Sequence, residues 1–136
     1  MKMSTKGRYG TRLMLDIAIN GGQGPVLIRH ISKRLELSKK YLGQLALMLK
    51  NAGLLRSVRG AKGGYLLSKP KEELTLYDIV ECLEGPMSLS DQIDNCAANV
   101  IWEEISHAME NRMRAVTLAS LAETQNNISQ KFAYTI

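Results

Sequence analysis

The chain has 136 residues, of which 45% are hydrophobic and 23% are charged. This composition suits one globular domain of about 100–150 residues and argues against a disordered chain. The sequence contains no apolar run of the ~18 residues that a membrane span needs, and it begins without the apolar stretch of a secretory signal. Two cysteines are too few for a disulfide framework, so we expect a soluble, cytoplasmic protein with reduced thiols.

Positive charge is concentrated in the first half of the chain. The net charge is +5 overall, but residues 1–68 carry +11 and residues 69–136 carry −6. Such asymmetry is typical of a protein that binds a polyanion. A solvated basic surface without a ligand is the alternative, and charge by itself does not separate the two.

Hydrophobic periodicity predicts three helices in the first 51 residues. The first covers residues 5–19 and is ended by a glycine-rich loop at 20–25. A short helix follows at 28–35, then a tight turn at 36–38, then a third helix at 39–51 with Ser38 as its N-cap. The third helix has one buried face, formed by Leu42, Leu45, Ala46 and Leu49. Two short helices joined by about three residues indicate a helix-turn-helix.

A β-hairpin is predicted at residues 54–68, where two short apolar strands flank a tip rich in glycine and cations. Gly63 and Gly64 permit positive φ or a close approach of the backbone to a ligand. A phosphate-binding nucleotide loop is the rival interpretation. That loop needs a helix directly after its glycines, whereas Tyr65 and the two leucines after it continue as a strand.

The second half of the chain is predicted to be helical. A helix capped by Thr75 with Asp78 ends at Gly85-Pro86, and residues 87–95 form a polar loop. A long helix begins at Cys96 or Ala97 and extends to Val116, followed by a short helix at 117–123 and a polar, flexible tail. The long helix carries an apolar stripe of coiled-coil spacing, which we call the predicted seam: Trp102, Ile105, Met109, Met113 and Val116.

Duplex DNA is the ligand that these features predict together. Polar and cationic residues at the N-terminal end of a major-groove helix contact base edges and phosphates, and Gln44 suits adenine. Arg59 at the hairpin tip is placed to enter a minor groove. For each residue taken singly a structural role is the alternative, with Tyr41 in the core and the lysines solvated. The candidate DNA-binding residues are Ser38, Lys39, Lys40, Tyr41, Gln44, Arg56, Arg59, Gly60, Lys62, Gly63 and Gly64.

An enzyme is not expected. The two histidines, His30 and His107, have no cysteine, serine or carboxylate at a spacing typical of a nucleophilic site. Cys82 is most simply a small core residue. Cys96 lies where a helix begins and where the helix dipole favours a thiolate, so it is a candidate sensor thiol. An ordinary half-buried cysteine is the alternative for Cys96.

Five motifs occur in one order along the chain. They are residues 5–9 (TKGRY), Tyr41-Leu42 with Leu45 and Leu49, residues 52–55 (AGLL), residues 59–65 (RGAKGGY) and Ile101-Trp102. With these motifs the chain resembles the Rrf2 family of bacterial winged helix-turn-helix transcriptional regulators, which includes IscR, NsrR and CymR. The resemblance covers roughly residues 1–123, and the RGxxGGY segment is its most specific part.

The resemblance implies a mainly α-helical fold with a small β-hairpin, in which a winged helix-turn-helix is joined to a long dimerisation helix. It implies a homodimer whose two DNA-binding regions address a palindromic operator, and it implies DNA contact by the residues already singled out. The predicted regions are a DNA-binding region at 1–74, a connecting helix and sensor-type loop at 75–95, a dimerisation helix at 96–123 and a tail at 124–136.

Cluster-binding members of the family hold an iron–sulfur centre with three cysteines before the Trp-bearing helix and a fourth ligand of another type. Cys96, six residues before Trp102, matches the last cysteine, but Asn99 occupies the expected histidine position, and residues 84–90 lack the two earlier cysteines. One thiolate per chain is too few for the usual cluster, so no cofactor or metal is assured. A cluster with unusual ligands, such as Cys82 or groups from the partner subunit, and an engineered, ligand-depleted variant are alternatives. A CymR-like member that senses through a protein partner or a thiol is another.

We therefore expect a sequence-specific, DNA-binding transcriptional regulator, of a family whose members are usually repressors. An iron–sulfur-dependent sensor of the same family is the first alternative. An adaptor whose basic half binds an acidic protein partner is the second.

Overall fold

The computed structural model describes residues 2–90 and 94–135, and it is mainly α-helical with one antiparallel hairpin, as predicted. A short 3₁₀ turn, Gly21–Gln23, follows the first helix. The helices are α1 (Thr5–Asn20), α2 (Ile28–Leu35), α3 (Lys39–Asn51), α4 (Leu76–Glu84), α5 (Ala97–Arg114) and α6 (Leu118–Thr135), and the strands are β1 (Leu55–Val58) and β2 (Gly64–Leu67). Among the described residues, no helix combines the length and the apolar character that crossing a bilayer requires.

Both predicted N-caps are confirmed. The Ser38 hydroxyl accepts a hydrogen bond from the Tyr41 N–H at 3.1 Å and so begins α3. At α4, the Thr75 hydroxyl accepts from the Asp78 N–H at 3.1 Å, while the Asp78 carboxylate accepts from the Thr75 N–H at 3.0 Å. These reciprocal bonds form a capping box, which satisfies two N–H groups that the helix itself leaves without partners.

α1 is the central helix of the core and contacts α2, α3, α4, α6 and β2. Burial of apolar side chains between these elements is the main force that holds them together. One cluster joins residues from the first helix to the start of the last: Leu13, Met14, Ile17, Val26, Ile31, Leu42, Leu45, Ala46, Leu49, Leu54, Leu55, Leu74, Ile79, Leu83 and Leu118. The division of the chain into four regions stays a prediction.

The helix boundary predicted near Val116 is confirmed: α5 ends at Arg114 and α6 begins at Leu118, so the predicted dimerisation region at 96–123 spans parts of two helices. Thr75 and Thr117 form an isolated antiparallel bridge, in which the Leu76 N–H donates to the Val116 carbonyl at 2.8 Å. The Leu118 N–H donates to the Leu74 carbonyl, also at 2.8 Å. The bridge holds the backbone extended here, and the Thr117 hydroxyl then accepts from the Ser120 N–H to begin α6.

The last helix corrects the expectation of a short helix at 117–123 followed by a flexible tail. α6 continues to Thr135, so residues 124–135 are helical. Residues 118–135 contain neither glycine nor proline, which are the residues that most often end a helix. Leu118 and Ala122 are buried and Leu121 is half-buried, so α1 anchors the first turns of α6.

Candidate nucleic-acid interface

The turn between α2 and α3 is tight and well bonded. Glu36 ends α2 in the left-handed conformation (φ 56°), and its N–H donates to the Ser32 carbonyl. The Ser32 hydroxyl donates to the Leu37 carbonyl at 2.6 Å, and the Leu37 N–H returns to the Ser32 carbonyl at 3.3 Å. The turn residues 36–38 therefore set the angle at which α3 leaves α2, as a helix-turn-helix requires.

α3 presents one face to the core and another to solvent. Leu42, Leu45, Ala46 and Leu49 are buried, as the periodicity predicts. Ser38, Lys39, Lys40 and Gln44 are exposed at the N-terminal end of the helix, and Tyr41 is half-buried. Leu47 lies one turn beyond Gln44 and is 56% exposed. Leu47 is not among the residues predicted from the sequence to contact DNA. An apolar residue outside the predicted buried face of α3 was the signal that could have identified it.

β1 and β2, with the turn at residues 59–63, form the hairpin that we call the wing. Leu55 pairs with Leu67, and Val58 pairs with Gly64. Arg56, Arg59 and Lys62 are all exposed. At the tip, Gly60 has φ 109°, and no neighbour lies within 4 Å of the position that a Cβ would take there.

Gly63 and Gly64 are explained by contacts within the chain. A Cβ on Gly63 would lie 2.2 Å from the Val58 carbonyl oxygen, and the Gly63 N–H already donates to the Gly60 carbonyl. Gly64 has φ 144°, and a Cβ there would lie 2.3 Å from the Val26 carbonyl oxygen. The close backbone approach that these glycines permit is therefore to their own fold, and their contact with DNA stays a prediction.

Backbone hydrogen bonds hold the wing in a set position beside α3. The Val26 N–H donates to the Tyr65 carbonyl and the Tyr65 N–H to the Val26 carbonyl, both at 2.9 Å. The Leu54 N–H donates to the Leu49 carbonyl at the end of α3, also at 2.9 Å. The cations of the wing and those at the start of α3 thus belong to elements that backbone hydrogen bonds join.

α1 brings further cations to the start of α3. The rings of Tyr9 and Tyr41 meet edge to face, with centroids 6.1 Å apart and planes at 89°. The guanidinium carbons of Arg8 and Arg12 lie 5.6 Å and 5.5 Å from the centroid of the Tyr9 ring. Arg8 and Arg12 are exposed, and Tyr9 is half-buried. The sequence analysis did not single out these two arginines, because only the fold brings residues 8–12 next to residue 41.

Few acids oppose the cations of the first half. The Arg34 guanidinium holds the Asp16 carboxylate in a bidentate ion pair, at 2.8 Å and 2.7 Å, which raises the pKa of Arg34. Among the residues that the structure describes, no other cation of residues 2–68 lies within ion-pair distance of a carboxylate. The surface formed by α3, the wing and the start of α1 is therefore strongly positive, which favours a polyanionic ligand.

The predicted seam does not stay on one helix face: Val116 lies beyond the end of α5 and is half-buried, and its other four residues are divided between two environments. Trp102 and Ile105 are 45% and 40% exposed, beside Val100 and Ile101 at 48% and 49%. Met109 and Met113 are half-buried instead and line a cavity of about 370 Å³ with residues of α4 and the loop after it. The residues of this stripe that stay free for a partner are therefore in the first half of α5.

The two cysteines lie in different surroundings. Cys82 is half-buried on α4, its thiol donates to the Met48 carbonyl at 3.4 Å, and burial raises the pKa of the thiol. Cys96 is exposed at the N-cap of α5, and the Cys96 N–H donates to the Asp94 carboxylate at 2.9 Å. The side-chain amide of Asn99 donates to the same carboxylate.

This donor set does not fit the usual iron–sulfur cluster. Within residues 2–90 and 94–135, no group of three or more histidine, cysteine or acidic side chains is placed to hold a metal ion. Cys82 bonds to the backbone of α3, and Asn99, in the first turn of α5, bonds to Ser90 and Asp94 of the preceding loop, so neither stands free beside Cys96.

Residues 3–124 match the model of the Rrf2 family, described as an iron-dependent transcriptional regulator. The chain is 37% identical to the HTH-type transcriptional regulator CymR of Bacillus subtilis over 138 aligned positions, which cover 100% of both chains. The solved structure of CymR, titled the global cysteine regulator of B. subtilis, superposes with a TM-score of 0.83 and 39% identity, covering 91% of this chain and 98% of CymR. The structure of T. potens IscR superposes with a TM-score of 0.81 and 38% identity, covering 92% of this chain and 88% of IscR.

Proposed function

Because this chain belongs to the Rrf2 family of DNA-binding transcriptional regulators, we propose that it acts as a homodimeric repressor on a palindromic operator. The observation that carries this proposal is the hydrogen-bonded placement of the cationic wing beside α3, whose start is basic. A winged helix-turn-helix uses these two elements together, one in the major groove and one along the flanking backbone or minor groove.

α3 is the recognition helix in this proposal. Lys39 and Lys40 are exposed at its start and bind phosphate or guanine, and Gln44 is exposed one turn later and suits adenine. Leu47, on the same outward side, offers an apolar contact to a thymine methyl group. On the wing, Arg56, Arg59 and Lys62 carry charge to the flanking DNA.

The first half of α5 is the dimer interface in this proposal, and its occupant is a second copy of the chain. Four large apolar side chains, Val100, Ile101, Trp102 and Ile105, lie within six consecutive residues, and each is 40–49% exposed. Burying them against their own symmetry mate removes this apolar surface from water. A two-fold axis there presents two recognition helices to half-sites about 34–36 Å apart, one turn of the duplex.

The sensed signal does not depend on the usual cluster in this proposal, because the described residues supply only Cys96 at the expected place. Anaerobic reconstitution with iron and sulfide, followed by visible absorption and iron analysis, tests this. We expect a colourless, iron-free protein. A coloured product containing iron would favour the cluster-dependent sensor instead.

Selection of promoter fragments by the purified chain, followed by gel-shift assays at about 150 mM salt, tests operator binding. We expect one selected sequence with two-fold symmetry, bound more tightly than random DNA. Arg59→Ala is expected to weaken operator binding more than random-DNA binding. Equal binding to all fragments would favour the adaptor interpretation, and an equal loss on both DNAs would exclude a specific role for Arg59.

Light scattering on the purified chain tests the dimer. We expect twice the mass of one chain for the unmodified protein and a monomer for Ile105→Lys. Phe132→Lys places the same charge on a 67% exposed apolar residue of α6 and is expected to leave the dimer intact. A monomeric unmodified chain, or an Ile105→Lys variant that stays dimeric, would refute this interface.

A further inference from the structure

The most informative feature outside the recognition helix and the wing is the surface of α1 beside α3. Arg8 and Arg12 are one helical turn apart, and both place their guanidinium groups within 5.6 Å of the centre of the Tyr9 ring. Tyr9 in turn packs edge to face on Tyr41, in the first turn of α3. Two cations are thus held by one aromatic ring at the start of the recognition helix.

Among the described residues, no acid is paired with either of these two arginines. Asp16 and Glu36 are the acids of residues 2–68, and Asp16 is paired with Arg34. The Glu84 carboxylate approaches from α4, but it accepts hydrogen bonds from the Ser4 hydroxyl and the Gly7 N–H. In the part of the chain that the structure describes, neither Arg8 nor Arg12 lies within ion-pair distance of a carboxylate.

The arrangement fits a phosphate-binding role for the two arginines better than a role as solvated surface charges. A guanidinium held close to an aromatic ring keeps its N–H donors available, and less conformational freedom is lost when they bind a phosphate. The Tyr9–Tyr41 contact holds the two guanidinium groups near the start of α3. When α3 lies in the major groove, the strand at the edge of that groove therefore passes close to α1. A guanidinium–phosphate pair is also among the stronger charge-assisted hydrogen bonds.

We propose that Arg8 and Arg12 bind backbone phosphates of the duplex next to the major groove that α3 occupies, with Tyr9 as the residue that positions them. This inference rests on the proposed function and adds α1 to the DNA-binding surface. The contact carries no sequence information, because phosphates are alike along the duplex. It sets the register of α3 in the groove and contributes equally to operator and random DNA.

The salt dependence of binding distinguishes this role from a structural one. Binding of the full chain to a selected operator duplex and to a random duplex of equal length is measured by fluorescence anisotropy, from about 50 to about 200 mM salt. For the double variant Arg8→Gln, Arg12→Gln, the negative slope of log affinity against log salt is expected to become shallower by about 2 per bound chain, one for each lost phosphate contact. Affinity is expected to fall by the same factor on both duplexes.

Two further variants control the experiment. Arg112→Gln removes an exposed charge from α5, far along the chain from the DNA-binding region, and is expected to keep the slope of the unmodified chain. The double lysine variant, Arg8→Lys with Arg12→Lys, keeps both charges and is expected to keep most of the slope. A glutamine variant that stays folded in thermal melting but keeps the full slope would overturn the proposal, as would a lysine variant that loses it. Failure of the unmodified chain to prefer any sequence would instead contradict the proposed function.

Discussion

The guanidinium carbon of Arg114 lies 3.8 Å from the centroid of the Tyr77 ring and joins the last turn of α5 to the first turn of α4. The same guanidinium donates to the Glu110 carboxylate at 2.9 Å and 3.1 Å, and these bonds raise its pKa. Tyr77 is 8% exposed, and its burial raises the pKa of its hydroxyl. The C-terminal end of α5 is thus tied to α4, while the apolar face proposed for dimerisation is at the N-terminal end of α5.

We expect Arg114→Gln to leave dimerisation intact but to weaken the preference for one half-site spacing. Without the stacked guanidinium, α5 is less constrained relative to α4, so the two recognition helices can reach a wider range of separations. Gel-shift affinities for operators with one base pair added or removed measure this preference. Arg112→Gln, in the same turn of α5 and exposed, is the control and is expected to keep it.

The Asp16–Arg34 pair is expected to stabilise the helix-turn-helix. The Asp16 side chain is 5% exposed. In Asp16→Asn, the buried side chain is neutral and accepts weaker hydrogen bonds from Arg34 than the carboxylate does. We expect a loss of about 1–2 kcal/mol in the free energy of unfolding, at the lower end because Arg34 is 40% exposed to solvent. Urea unfolding measures it. Glu36→Gln removes an exposed acid and is expected to change stability little; an equal loss in both variants would mean that the ion pair is not the cause.

Leu47 is expected to contribute to sequence preference and not to stability. It is 56% exposed on α3, so Leu47→Ala removes little buried surface. If the side chain contacts a thymine methyl group, operator affinity falls while random-DNA affinity and the salt slope are unchanged. Gel shifts with the thymines of the operator replaced by uracil, which lacks the methyl group, locate the contact. A loss on both kinds of DNA would argue against it.

Gly64→Ala is expected to detach the wing from the Val26 segment. The added Cβ would lie 2.3 Å from the Val26 carbonyl oxygen, and φ 144° is strained for alanine. We expect a loss of about 2 kcal/mol or more in the free energy of unfolding, since strain and a broken backbone bridge add together. Gly22→Ala is the matched control, because no atom lies within 4 Å of its Cβ position. Similar melting of both variants would contradict this role for Gly64.

The two thiols are expected to react at very different rates. Cys96 is exposed, whereas Cys82 is half-buried, and burial raises the pKa of its thiol, so less thiolate is present near neutral pH. A thiol-reactive chromophore should label one cysteine rapidly and the other slowly, and the slow phase should quicken as pH rises. Cys96→Ser is expected to abolish the fast phase. Loss of the slow phase instead would reverse the assignment.

The family, the helix-turn-helix, the wing and the uneven charge follow from the sequence by itself, because they depend on local features. Capping at Ser38 and Thr75, the apolar spacing of α3 and the glycine-rich turn each operate over a few neighbouring residues. The candidate contacts on α3 could be predicted for the same reason: a helix with one buried face leaves its polar residues outside.

Only the tertiary structure decided which distant residues meet. The bridge between Thr75 and Thr117 pairs the start of α4 with the junction of α5 and α6, and packing on α1 anchors the first turns of α6. The contact of Tyr9 with Tyr41 brings two arginines of α1 to the start of α3. Met109 and Met113 of the predicted seam are half-buried beside α4 instead of lying on an exposed face. These outcomes depend on side chains far apart along the chain, whose contacts no local pattern encodes.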